Sequence, residues 1–178
     1  MRWDDLFADL EAQLEGEQRA ALDAEVAERV RIERRSVTLV DRLRAHLGTA
    51  LVLDTGVLAV RGTVREVGAD FVLLDEEGGG YAVVPVGALE AVDGLGRGVA
   101  PAPGAVLRRL GLASALRGLV RDRAEVRVLT ATSEVRGVPS AVAADHVDIV
   151  PLRAGERDTA RAGARSVPLA ALRVVRSR

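Results

Sequence analysis

Two spacings of apolar residues alternate along the chain and divide it into helical and extended parts. Trp3, Leu6, Phe7, Leu10 and Leu14 recur every three or four residues, and Leu22, Val26, Val30, Val37, Val40, Leu43 and Leu47 continue the pattern after a dip near Gly16. This spacing predicts two helices, or one interrupted at Gly16, over residues 3–47. Glu15 with Arg19 and Glu25 with Arg29 are favourable pairs one turn apart, and Gly48 is placed to stop the run as a C-cap. From Ala50 the period shortens to that of strands, with segments at Leu51–Leu53, Val57–Val67, Phe71–Leu74, Tyr81–Val86 and Leu89–Val92. Turn residues separate them at Asp54-Thr55-Gly56, Val67-Gly68-Ala69-Asp70 and Gly78-Gly79-Gly80. The stretch DGLGRGVAPAPGAV, residues 93–106, reads as a linker. A second helix pattern, VLRRLGLASALRGLVRD, follows, and strands are expected at Val126–Thr130, Glu134–Val142, His146–Leu152, Ser166–Leu169 and Leu172–Val175.

The second half repeats the first. VRGTVREVGADFVLLD at 60–75 and VRGVPSAVAADHVDIV at 135–150 share Val60/Val135, Arg61/Arg136, Gly62/Gly137, Val67/Val142, Ala69/Ala144, Asp70/Asp145 and Val72/Val147, an offset of 75. Chance in so skewed a composition gives roughly two matches, so this is an internal repeat. At an offset of 83, VVPVGALEAV meets SVPLAALRVV with five of ten positions identical. A longer loop in the second half, RAGERDTARAGAR, takes up the difference.

A helix followed by five short strands, with Gly62 or Gly137 inside the second, an Asp before the third and a Val-Pro turn before the fifth, resembles the Sm-like (LSm and Hfq) small β-barrel. The expected fold class is α+β, mainly β: an acidic N-terminal helical segment followed by two tandem Sm-like five-stranded small barrels. In that organisation residues 1–36 form the helical segment, 37–92 the first barrel with its leading helix, 93–106 the linker, and 107–178 the second barrel with its leading helix. Gly62 and Gly137 are expected where the second strand bends to close the barrel, and Pro85 and Pro168 where a turn leads into a short last strand. The family's RNA-binding versions carry an Asp and an Asn around the third strand, places that here fall on Gly68 and Val72. Their Arg-Gly or Tyr-Lys-His signature near the fourth strand is replaced by YAVVPVGAL and ARSVPLAAL, so RNA binding does not transfer with the fold. The whole chain, with its opening MRWDDLFADLEAQL, is also similar to a poorly characterised group from high-GC Gram-positive bacteria, sometimes catalogued as Fis-type transcription regulators. A recognition helix would need a basic face, and the N-terminal helix is acidic.

Composition narrows the chemistry. With 48% hydrophobic and 29% charged residues in 178, the chain is expected to fold. Every one of its 25 basic residues is Arg and there is no Asn, a GC-rich bias rather than a choice of arginine for phosphate. Residues 1–28 hold nine acids against Arg2 and Arg19, although the net charge is only -1. Cysteine is absent, which excludes disulfides and thiolate chemistry. No apolar run of about 18 residues is present to span a membrane, and no secretory-type leader is read, so the cytoplasm is the expected location.

Candidate chemistry is sparse, and no catalytic, metal or cofactor-binding residue is expected. His46 falls at a helix end and His146 in a strand, at the repeat position of Phe71, and nothing pairs either with a nucleophile or further ligands. Asp70 and Asp145 read as turn residues capping their own backbone, and Gly78-Gly79-Gly80 as a hairpin turn without the Lys-Ser/Thr of a phosphate loop. The expected function is that of a non-enzymatic adaptor or regulator that binds a protein partner. Trp3, Phe7 and Leu10 form the docking stripe, because aromatics anchor interfaces and an amphipathic helix fits a groove. The rival is an RNA- or DNA-binding regulator that uses Arg153, Arg157, Arg161 and Arg165 of the arginine-rich loop. Two halves in one chain are expected to satisfy strand edges internally as a pseudo-dimer, or to offer the remaining edges to another chain as a homo-oligomer.

Overall fold

The computed structural model describes residues 37–100, 110–152 and 163–177. Contacts divide the chain into Met1–Thr38 and a compact unit Leu39–Arg178, and the second unit holds every element described below. A short helix α1 (Leu39–Arg44) leads into β1 (Ala50–Asp54), β2 (Ala59–Val67), β3 (Phe71–Glu76), β4 (Tyr81–Pro85) and β5 (Ala91–Asp93). Helix α2 (Leu112–Arg121) opens the second half, followed by β6 (Val126–Thr130), β7 (Glu134–Val142), β8 (His146–Pro151), β9 (Arg165–Pro168) and β10 (Leu172–Ser177). A single 3₁₀ turn precedes β5 and β10, at Val86–Ala88 and Leu169–Ala171. The ten strands are those expected from the alternation, to within a few residues at their ends. Gly48 takes φ +75° where the α1 turn ends and donates its N–H to the Val64 carbonyl, a left-handed position that glycine adopts without strain.

The expectation of two closed barrels is wrong. All ten strands belong to one open antiparallel sheet in the order β5-β1-β2-β3-β4-β10-β6-β7-β8-β9. The edge of β4 that closure of the first half would have to use is occupied by β10, with Tyr81, Ala82 and Val83 facing Ser177, Arg176 and Val175. Among the described residues β5 pairs only with β1, through Ala91, Val92 and Asp93. Arg176 also reaches across this seam to Glu76, at 2.8 Å.

The two hydrophobic clusters do not respect the repeat boundary. Leu129 and Val174 of the second half are buried with Leu53, Val64 and Leu74 of the first. Phe71 and Val83 of the first half are buried with Leu112, Leu116 and Ile149 of the second. Each such side chain contributes on the order of 1.5–3 kcal/mol when buried, so the four exchanged residues together rival the net stability of about 5–15 kcal/mol typical of a domain. The halves therefore fold as one body.

Gly62 and Gly137 have a role other than barrel closure. A Cβ at Gly62 would overlap the Asp75 carbonyl of β3, and one at Gly137 the Val150 carbonyl of β8, so glycine here permits close approach of the neighbouring backbone. The irregularity in each long strand falls further on, as a bulge at Arg65 in β2 and at Ser140 in β7. The extra residue shifts the phase of alternation, which lets Val64 and Val67 both face the core. It also accommodates Pro139, the counterpart of Val64, since a missing N–H is tolerated beside a bulge.

Asp70 does not cap its own turn. Its Oδ1 accepts the N–H of Leu112 at 2.6 Å, at the start of α2, where the N-cap position itself is Gly111 and offers no side chain. A carboxylate there satisfies one of the free donors at the helix N-terminus and suits the helix dipole. Asp145 makes no such bond and pairs instead with His146. What the two positions share is backbone: Val86 N–H donates to the Asp70 carbonyl and Leu169 N–H to that of Asp145, at 2.8 and 2.7 Å. Replacement Asp70→Ala is expected to lower stability by about 1 kcal/mol, the usual cost of a lost cap, and Asp145→Ala by less. Urea unfolding of the two variants, compared with the parent protein, measures the difference.

Candidate functional site

The corner where the β6–β7 turn meets the 3₁₀ turn before β10 differs in its side chains between the two halves, although the turn itself has the same backbone hydrogen bond. Thr55 in the first half donates its hydroxyl to the Leu58 carbonyl at 3.0 Å, and Thr130 in the second donates to the Ser133 carbonyl at 3.1 Å. Around this shared turn, Asp54, Gly56, Val57 and Leu58 are replaced by Leu129, Ala131, Thr132 and Ser133. Glu90, whose carboxylate lies over Gly56 in the first half, is replaced by Arg173, and Ala82 of β4 by Arg165 of β9. One corner carries two carboxylates; its counterpart carries two guanidinium groups and four hydroxyls.

A cavity of about 280 Å³ opens at the second corner, lined by Thr130, Thr132, Ser133, Arg165, Ser166 and Arg173 among others. Among the described residues none lining it carries a carboxylate. Arg165 is exposed at the start of β9 and reaches the Ser133 hydroxyl at 3.5 Å. Ser166 is held from the other side, donating to Asp148 Oδ1 at 2.5 Å. Among the described residues β9 pairs with β8 alone, through Arg165–Pro168, so the cavity lies beside the strand at one end of the described sheet.

Next to it, His146 faces two carboxylates, with Nδ1 2.7 Å from Asp145 Oδ1 and Nε2 4.0 Å from Asp148 Oδ1. The hydrogen bond to Asp145 is the main reason that the imidazole pKa is raised, and the same bond holds the Asp145 carboxyl below its ordinary range. Both imidazole nitrogens are directed at carboxylates and Ser166 is engaged by Asp148, so this row is not arranged as a nucleophile and its base. His46 is structural: it bonds the Arg42 carbonyl through Nδ1 at 2.7 Å and accepts the Gly96 N–H on Nε2 at 2.9 Å, tying the chain after β5 to α1. Among the described residues no three His, Asp or Glu side chains are grouped to hold a metal ion, and no helix is long and apolar enough to cross a membrane.

Of the residues expected to bind a partner, Trp3, Phe7 and Leu10 lie outside the described residues, as do Arg153, Arg157 and Arg161. Arg165 alone of the arginine set is placed, and the structure brings it together with Arg173, Thr132 and Ser133, which the motif search passed over. The signal was present in the offset comparison, where Glu90 aligns with Arg173. Elsewhere on the surface the charged side chains pair among themselves. Arg127 holds Glu134 in two bonds of 2.5 and 2.6 Å and pulls its carboxyl pKa down, and Arg65 lies 4.9 Å from the Tyr81 ring centre while bonding Asp75.

No family model and no curated protein sequence matches the chain.

Because the pKa of His146 is raised in the folded protein, its protonated form contributes stability in full below the unfolded value of about 6.5. That contribution is lost as pH rises through the folded value. Proton NMR of the imidazole is expected to show His146 titrating above His in an unfolded peptide, and Asp145→Asn to move the midpoint down. A His146→Gln variant assigns the resonance.

Proposed function

We propose that the protein is a non-enzymatic adaptor or regulatory protein of the cytoplasm that binds another protein by strand addition at an open end of its sheet. The observation that carries this reading is the seam between β4 and β10. The chain already joins its two halves by edge-to-edge pairing, and the strands left at the ends, β5 and β9, have no second neighbour among the described residues. An unpaired edge offers a row of backbone donors and acceptors to an incoming strand. The cavity beside β9 gives such a strand a place for one side chain, and its guanidinium groups favour an acidic one. The stripe of Trp3, Phe7 and Leu10 is the second contact that this reading assigns to the partner. A polyanion such as RNA or DNA is the alternative occupant, favoured by the presence of Arg165 and Arg173 in one cavity with no carboxylate among its described lining residues.

A photoreactive benzoylphenylalanine in place of Ser166, introduced in the cells that make the protein, separates the two. A protein adduct is expected at Ser166 and not at Arg136, an exposed position on β7. A nucleic-acid adduct at Ser166 would replace the adaptor reading with its rival, and the absence of any adduct specific to Ser166 would reject both.

A further inference from the structure

The two arginines of the cavity stand without counter-charge among the described residues. Five described arginines are half-buried: Arg42, Arg44, Arg127, Arg173 and Arg176. Arg42 donates to the Leu95 and Gly96 carbonyls, Arg44 pairs with Asp41, Arg127 with Glu134 and Arg176 with Glu76. Arg173 has no such partner among the described residues, and it shares the cavity with Arg165, whose described contact is the Ser133 hydroxyl. Carboxylates on the neighbouring strands are engaged elsewhere, Glu134 by Arg127 and Arg136, Asp148 by Ser166 and His146. A guanidinium drawn partly out of water with no partner is costly, and an anion that enters the cavity offsets the cost.

One substitution between the repeats keeps this space open. A Cβ at Gly56 would overlap the Glu90 carboxylate that lies over it, and the counterpart of Gly56 is Ala131, which carries that Cβ. The side chain of Arg173 therefore cannot lie over the turn as that of Glu90 does. Donors remain for a ligand. Ser166 gives its proton to Asp148 and Thr130 is engaged with Ser133, but Thr132 forms no hydrogen bond among the described residues and is exposed. Whole drug-sized ligands occupy about 300–1,000 Å³, so a cavity of about 280 Å³ suits one functional group.

We propose that this cavity seats a single phosphomonoester group, held by Arg165 and Arg173 with Thr132 and Ser133 completing its shell. Charge decides between the anions. A carboxylate or a phosphodiester brings one negative charge and leaves one guanidinium uncompensated, whereas a phosphomonoester brings about −1.5 to −2 and three acceptor oxygens, which guanidinium groups match with paired N–H donors. The proposal names the occupant of the cavity to which the strand-addition reading gives an acidic side chain, and rests on that reading for a phosphorylated side chain as the source. A small phosphorylated molecule carries the same group.

NMR of amide shifts in the full-length protein, above the second phosphate pKa of about 6, tests the seat with methyl phosphate and dimethyl phosphate. Methyl phosphate is expected to shift the Thr132, Ser133, Arg165 and Ser166 amides saturably and to bind about tenfold more tightly than dimethyl phosphate, the effect of one further charge-assisted hydrogen bond. Arg165→Gln and Arg173→Gln are each expected to weaken it roughly tenfold, and Arg61→Gln, exposed on β2, to leave it unchanged; shifts preserved elsewhere in the spectrum show that the variants fold. An extended peptide with one phosphoserine and adenosine monophosphate then assign the source. A peptide that binds more tightly than methyl phosphate and also shifts the Val167 amide supports delivery by a partner strand, and a nucleotide that exceeds the peptide supports a small ligand in the same seat. Equal binding of the two methyl esters, or stronger binding of an oligonucleotide without a terminal phosphate, would overturn the proposal in favour of a polyanion. Shifts that spread over the surface without saturating would overturn it as a general effect of arginine charge. A Ser166 photo-adduct to a protein, with no response to methyl phosphate, leaves the strand-addition reading standing and removes this inference alone; saturable methyl phosphate binding with no adduct does the reverse.

Discussion

The pairing of β4 with β10 is the contact on which the rest of this molecule depends. It converts two runs of five strands into one sheet, satisfies the backbone of two strands that would otherwise be edges, and draws Leu129 and Val174 into one cluster and Phe71 and Val83 into the other. Removing either half would expose apolar surface in the half that remains, and would also remove the donor or acceptor of the Asp70 bond to α2. The seam therefore acts on core, sheet and helix cap together.

Within that frame the repeat is conserved as geometry. The Thr turn, the glycine approach, the bulge and the 3₁₀ turn before the last strand recur in both halves with the same backbone hydrogen bonds. Side chains that do not enforce this geometry have diverged, among them those at the corner of each half. Asp54 and Glu90 in one, Arg165 and Arg173 in the other, give the two corners side chains of opposite charge. A protein with net charge -1 thus carries equivalent corners of opposite sign, and charges of this kind set the orientation and partner of an encounter more than its strength.

Two aspartates at one repeat position show how duplication separates roles. Asp70 lies where the start of α2 passes, with Ala69 N–H donating to the Leu110 carbonyl at 2.9 Å, and a carboxylate there finds a helix N-terminus to cap. Asp145 bonds no helix N-terminus among the described residues, and the neighbour that replaces Phe71 is His146, so the carboxylate pairs with an imidazole on the surface. Identical residues in equivalent turns therefore contribute to different things: one to the union of the halves, the other to a charged row beside the basic corner.

The strands, their order in the chain, the turns between them and the duplication were legible in the sequence, because each depends on contacts between near neighbours: alternation at period two, glycine where the backbone needs it, and residue identity at a fixed offset. The charge reversal between Glu90 and Arg173 was legible too, though only once the two corners were known to share a backbone turn. What the sequence by itself determined is a pair of five-strand units with a common backbone. Which edge meets which was decided by tertiary structure alone, since β4 presents the same donors and acceptors to β10 as it would to its own β5. The choice follows from the apolar surface buried when Phe71, Val83, Leu129 and Val174 cross the seam, a long-range term that no local pattern records.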